Sequence, residues 1–259
     1  LKSPLKSGDD GEKYFMKKIF AANWKLYKNP KETRAFFEVF NKLNLTDKSD
    51  VVFFVPATSA VVAQECIGQH STISWGAQNC YVETQGAFTG EISAQMIQDI
   101  GGKWILLGHS ERRTIFKEDD SFVARKVQKV QQLGLQPMLC IGETLEERES
   151  GKIEQVLKQQ LSVGLSLADK SKPMVIAYEP VWAIGTGKVA TAQQVKETHA
   201  LVHEILAKLD FAQTPVLYGG SVKPDNAQEL ISLPGVDGFL VGGASLDPLS
   251  FEKIVQSQK

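Results

Sequence analysis

Eight short apolar runs, each followed by a stretch that reads as helix or turn, constrain this 259-residue chain more than any other feature. The runs lie at 19–22, 51–55, 72–75, 104–107, 136–140, 174–178, 216–218 and 238–241. Each has strand length, and most are too apolar to be half exposed, which suits parallel strands covered on both faces. Between them, 31–43 places Ala35, Phe36, Val39, Phe40 and Leu43 on one side of a helix, and 121–133 does the same with Phe122, Val123, Val127, Val130 and Leu133. Segments 153–167 and 191–209 repeat the pattern. Asn29-Pro30, Thr58, Ser93, Asp119, Thr191 and Asp225 stand where helices should start, and Gly68, Gly134 and Gly235 where they should stop or a strand should follow. The mean spacing is about 30 residues, the size of one βαβ step. Eight such units predict an α/β fold closed into a single (β/α)8 barrel rather than an open doubly wound sheet. One domain of this kind fills about 250 residues.

No apolar run approaches the roughly 18 residues of a membrane span, so no membrane partner is expected. With 29 basic and 30 acidic residues the formal charge is −1, and nothing global favours nucleic acid. An anionic ligand must then be held by local geometry. Cys66, Cys80 and Cys140 match no zinc spacing and read as reduced thiols of a cytoplasmic protein. Residues 1–15 are rich in Lys, Ser, Gly and Asp and lack the apolar core of a secretory signal. They read as a tag, a scar or a flexible N-terminal extension, leaving 16–259 as the barrel catalytic domain.

In such a barrel the working face is where strands end and helices begin. The unusual residues follow the strands: Asn23-Trp24-Lys25 after the first, Gly108-His109-Ser110-Glu111-Arg112-Arg113 after the fourth, 178–187 after the sixth, 218–222 after the seventh and 241–245 after the eighth. They include one cation (Lys25), one imidazole (His109), one carboxylate (Glu179) and one amide (Asn23). Proton transfer beside a carbonyl needs a base and a polarising group, and Glu179 and His109 can fill those roles. Two glycine-rich turns, 219–221 and 242–243, follow the last two strands, where barrels place phosphate and where bare backbone lets N–H groups approach its oxygens.

Taken together, segments 22–25, 86–93, 108–113, 140–147, 178–187, 218–222 and 241–246 resemble the triosephosphate isomerase family, and 177–187 reads AYEPVWAIGTG. The resemblance extends from residue 17 to residue 255, without a departure at a catalytic position. Ala22 is small where many members have glycine. The resemblance implies a TIM barrel, interconversion of dihydroxyacetone phosphate and D-glyceraldehyde 3-phosphate by enediolate proton transfer, and no cofactor or metal. It also implies roles. Glu179 is the base, and His109 polarises the carbonyl and shuttles protons between the two oxygens. Lys25 supplies positive charge, with Glu111 orienting it, and Asn23 hydrogen-bonds the carbonyl side. Backbone amides of Gly185, Ser221, Gly242 and Gly243 hold the phosphate. Pro180, Val181, Trp182, Ala183, Ile184, Gly185, Thr186, Gly187 and Lys188 form a closing lid. It is a property of the family, not one read from these residues, that its histidine is neutral beside a helix N-terminus and that lid closure excludes water. A helix beginning near Ser110 is compatible with it. The long loop from Gln78 to Thr89 is expected to protrude into a second subunit of a homodimer, with Thr89 reaching the partner's active site and Glu91 and Arg112 as further contacts.

Other readings compete. His199 and His203 are four apart, a possible metal spacing, but the glutamate of an H-E-x-x-H site is missing, and with His70 they are expected at the surface or in grooves. Residues 185–190, GTGKVA, mimic nucleotide-binding turns, but the six residues 179–184 separate them from the strand, and Trp182 stands where a P-loop needs its first glycine. Cys140 has no histidine adjoining it in sequence and reads as a buried structural thiol. A Schiff-base aldolase needs a lysine inside a strand, and none of the eight runs offers one. A catalytically silent phosphate-binding barrel is the alternative outside enzymology, and it predicts loss of Glu179, His109 or Lys25, all of which are present.

Overall fold

The computed structural model describes residues 17–43, 45, 48–68, 72–184 and 189–258. Residues 1–16, His70, the lid positions Gly185, Thr186, Gly187 and Lys188, and residue 259 lie outside the described residues. Eight strands, β1 (Lys18–Asn23), β2 (Ser49–Val55), β3 (Ile73–Ala77), β4 (Trp104–Leu107), β5 (Gln136–Ile141), β6 (Val175–Tyr178), β7 (Val216–Tyr218) and β8 (Gly238–Val241), pair in parallel and in sequence order, and β8 returns to β1 to close the barrel. Each apolar run therefore became a strand, within two residues of its expected bounds.

The intervening helices are α1 (Pro30–Phe40), α2 (Ala60–Ile67), α3 (Ala94–Asp99), α4 (Ser110–Thr114), α5 (Asp120–Gln132), α6 (Leu145–Glu149), α7 (Ile153–Gly164), α8 (Ala192–Lys208), α9 (Ala227–Ile231) and α10 (Pro248–Val255). Asn29, Ser93, Asp119 and Thr191 cap their helices through side-chain oxygens that accept otherwise unpaired backbone N–H groups. Two expected starts differ. Thr58 lies within a 3-10 turn, Ala57–Ser59, and α2 begins only at Ala60. Asp225 is replaced by Asn226, whose side chain accepts the Lys223 N–H and so closes a turn rather than capping α9.

Alternation along the strands separates two cores. Ile19 and Ala21, Val52 and Phe54, Trp104 and Leu106, Met138 and Cys140, Val175 and Ala177, with Leu217 and Leu240, form one buried cluster that fills the barrel. The residues between them pack outward against the helices. Trp24 belongs to that outer core, 4.9 Å from the Phe36 ring and 5.5 Å from Phe53. Such aromatic pairs add about 0.5–1.5 kcal/mol each beyond area burial. The Trp24 indole also donates to the Ser245 carbonyl at 3.2 Å, which ties the chain leaving β1 to the chain leaving β8.

One further step of two along the strands reaches the rim. It gives Asn23 on β1, Pro56 after β2, Gly108 after β4, Gly142 after β5, Glu179 after β6, Gly219 after β7 and Gly242 after β8. Two polar side chains thus stand at one level with four positions that have no side chain, and the barrel opens into a cleft there.

Candidate active site

Glu179 and His109 meet at this rim. Glu179 is 2% exposed; its Oε1 lies 2.9 Å from His109 Nε2 and its Oε2 accepts the Ser110 N–H at 3.0 Å. Room for the carboxylate depends on Gly219, where a Cβ would stand 2.9 Å from Glu179 Cγ. Burial works to raise the Glu179 pKa, but His109, the Ser110 N–H and Lys25 outweigh it and hold the carboxyl below the ordinary carboxylate range.

His109 is the N-cap of α4, and its Nδ1 accepts the Glu111 N–H at 3.2 Å. With Nδ1 an acceptor, the ring proton belongs on Nε2, which donates to Glu179. Burial lowers the His109 pKa, and the Glu179 carboxylate, joined by Glu111 Oε2 at 3.5 Å from Nδ1, outweighs burial and pulls it upward. Against that pull, an imidazolium would set an Nδ1–H against the Glu111 N–H at the positive end of a helix. Every hydrogen bond at the ring is that of a neutral imidazole.

Lys25 approaches from β1. Its Nζ lies 2.6 Å from Glu111 Oε1, the pairing expected from the sequence. Its backbone takes φ = 50°, which is unusual for a side chain with a Cβ and is sustained only by surrounding bonds. Those bonds are visible. Asn23 Oδ1 accepts the Lys25 N–H at 3.0 Å, and Gln78 Nε2 donates to the Lys25 carbonyl at 2.8 Å. Sequence reasoning treated Gln78 only as the start of a loop, because a hydrogen bond spanning 53 residues leaves no local signature.

A cleft of about 820 Å³ opens beside these groups, and its lining includes Asn23, Lys25, His109 and Glu179 together with Ser221, Gly242 and Gly243. The expected phosphate-binding turns and the expected proton-transfer residues therefore line one space. A 3-10 turn, Gly243–Leu246, begins at the Gly242–Gly243 turn. The described part of the expected lid, residues 180–184, leaves Glu179 as a 3-10 turn at Val181–Ala183. Its stem is held by Glu143, which is fully buried and escaped the sequence reading. Glu143 Oε1 accepts from Trp182 Nε1 at 2.9 Å, Tyr178 Oη at 3.1 Å and Arg148 at 2.9 Å.

Thr89 and Glu91 are exposed on the long loop between β3 and α3. A second cleft of about 540 Å³ reaches from Lys25 to this loop, past Glu91, Arg112, Ile115 and Phe116. Arg112 is committed to Glu118 at 2.7 Å. His199 corrects its expectation: it is fully buried between α8 and the barrel, with Nδ1 2.9 Å from the Gly235 carbonyl, which His203 Nε2 shares at 2.9 Å. Lys18 enters β1 one residue earlier than expected, but it donates to the Val236 carbonyl at the opposite end of the barrel from His109. Cys140 is fully buried. Among the described residues no group of three or more His, Cys, Asp or Glu side chains is placed to hold a metal, and no helix is long and apolar enough to cross a membrane.

Comparison with known proteins adds a family to this geometry. The profile of the triosephosphate isomerase family matches residues 18–258. The triosephosphate isomerase of Bdellovibrio bacteriovorus is 62% identical over 239 residues, covering 92% of this chain and 99% of that protein. Those of Nitratidesulfovibrio vulgaris and Aquifex aeolicus are 48% and 42% identical, each across 93% of this chain and 99% and 100% of the relative.

Proposed function

Because this chain belongs to the triosephosphate isomerase family and interconverts dihydroxyacetone phosphate and D-glyceraldehyde 3-phosphate, we propose that the buried pair Glu179–His109 is the centre of that reaction. The observation that carries the assignment is the 2.9 Å contact between a carboxylate held ionised and an imidazole Nε2 at the mouth of the cleft.

Substrate enters with its phosphate toward Ser221, Gly242, Gly243 and Gly185, whose backbone N–H groups hold it. Glu179 turns from His109 to the substrate carbon beside the carbonyl and takes its proton. The charge that develops on the carbonyl oxygen is met by the Nε2–H of His109, by the Lys25 ammonium and by the Asn23 amide. His109 passes a proton between the two oxygens, and Glu179 returns its proton to the neighbouring carbon. One C–H bond breaks and one forms, the two oxygens exchange roles, and no electron leaves the substrate, so the steps balance without a cofactor. A neutral donor suits this task because its acidity is closer to that of the enediol than an imidazolium's is. Once Glu179 has left the ring, its hydrogen bond to Nε2 no longer raises the His109 pKa. Residues 180–188 close over the site and exclude water.

The protein is further read as a cytoplasmic homodimer in which residues 16–259 form one catalytic domain. Support for pairing comes from the apolar Leu26, Ile115 and Phe116, exposed beside the second cleft and the Thr89 loop. Sedimentation should give twice the chain mass, and a monomer at working concentration would refute it.

The reaction is tested by a coupled assay with glyceraldehyde 3-phosphate on wild type and Glu179→Ala. Wild type should turn over, and the variant should lose at least about 10²-fold in kcat, the low end for a general base, with folding retained. Unchanged turnover in the variant removes Glu179 from the mechanism. No turnover by a folded wild type would favour the catalytically silent phosphate-binding barrel.

A further inference from the structure

Glu179 owes its height in the barrel to the chain beside it. Its N–H donates to the Ile141 carbonyl at 2.7 Å, and the Val181 N–H donates to the Glu143 carbonyl at 3.1 Å. Between those two bonds lies Gly142, pressed so closely on the Glu179 peptide that a Cβ there would overlap the Glu179 carbonyl oxygen. Residues 141–143 are therefore a rail that carries both the Glu179 peptide and, through Glu143 and Trp182, the stem of the lid.

The rail is fixed from behind by one side chain. Gln160, on α7, accepts the Gly142 N–H through Oε1 at 2.8 Å and donates to the Gly142 carbonyl through Nε2 at 3.0 Å. This closed pair satisfies both backbone groups of Gly142, as a neighbouring strand would, at the point where β5 has ended. Only a side chain with donor and acceptor on one planar terminus can do this; an apolar residue of the same size fills the space and leaves both groups unpaired. Gln160 touches neither the cleft nor the Glu179 carboxylate. Its effect on them passes through a backbone whose position has no slack.

We propose that Gln160 is a positioning residue for the isomerisation: its amide pins Gly142, and through Gly142 the Glu179 peptide and the lid stem, where the proton transfer needs them. This rests on the role given to Glu179 above. Rate is sensitive to such placement, since a misplacement of about 1 Å can cost about 10²-fold. A loosened rail should therefore lower kcat while substrate affinity, set by the phosphate turns after β7 and β8, changes little.

Two variants test it. Gln160→Met keeps the size and removes both bonds. Gln160→Glu keeps only the acceptor when ionised, and its carboxylate faces the Gly142 carbonyl; when protonated, its O–H donates there and both bonds return. Isomerase kinetics followed by NMR of the triose phosphates from about pH 8 to about pH 5, with folding checked by circular dichroism, separate the outcomes. Gln160→Met should lose about tenfold in kcat, with KM within about twofold and a variant-to-wild-type ratio flat with pH. The Gln160→Glu ratio should climb toward one as pH falls. An active wild type with both variants matching it, or a Gln160→Glu ratio flat with pH, overturns the inference alone. An inactive wild type overturns the reading beneath it and the inference together.

Discussion

His109 follows β4 with 4% of its surface exposed, and His199 lies on α8 with none. Both rings accept or donate only within the protein. His199 sets Nδ1 against the Gly235 carbonyl and its ring edge-on to Tyr178, 5.9 Å between centroids. No carboxylate touches it, so burial dominates and its pKa is pushed down to about 4. His109 is almost as dry, yet a carboxylate stands 2.9 Å from one nitrogen and a helix N–H points at the other. Burial favours the neutral form of both rings, and only at His109 does a carboxylate outweigh it and draw the pKa upward. What separates them is that His109 donates into a cleft where its acceptor can leave and a substrate oxygen can replace it, whereas the His199 bond joins two fixed parts of the fold. Desolvation is common to a structural and a functional histidine, and an exchangeable charged partner marks the functional one.

The contrast can be broken most sharply by activity. His109→Gln should lower kcat by at least about 10²-fold, the usual loss on removing one donor to a developing oxyanion. His199→Gln, if folded, should stay within about twofold of wild type. Equal losses in steady-state kinetics would erase the distinction.

A smaller effect concerns stability against pH. The folded His199 pKa lies below the unfolded value, so the folded state favours the neutral ring. Its contribution is complete above the ordinary histidine pKa of 6.5 and is lost as pH falls from 6.5 toward about 4. The full contribution is roughly 3 kcal/mol. Urea unfolding at several pH values should show His199→Gln losing less stability than wild type over that window. A wild type and variant that fall in parallel would show that His199 is not the group responsible.

Much of this was legible in sequence because it is local. Apolar runs located all eight strands, and period two then places Asn23 and Glu179 at the rim without further information. Asn29 and Thr191 reveal helix starts because a cap is a contact over three residues. The burial of His199 was also recoverable: Val195, Val202 and Leu206 lie on the same side of α8 at helical spacing. The capping box of α6, Thr144 with Glu147, carried its signal as well. Gln78, Glu143 and Gln160 were not recoverable. Each acts on a residue far along the chain or on backbone whose position only the closed barrel defines, and a glutamine that clamps a peptide looks in sequence like one that faces water.

The central claim is that a neutral His109 presents Nε2–H to Glu179, and nitrogen NMR of the histidine rings tests it most directly. At about pH 7 the wild type should show His109 protonated on Nε2 and bare on Nδ1, and Glu179→Gln should lower the His109 pKa while leaving that of His199 in place. A His109 ring with both nitrogens protonated at that pH, or with its single proton on Nδ1, would contradict the account.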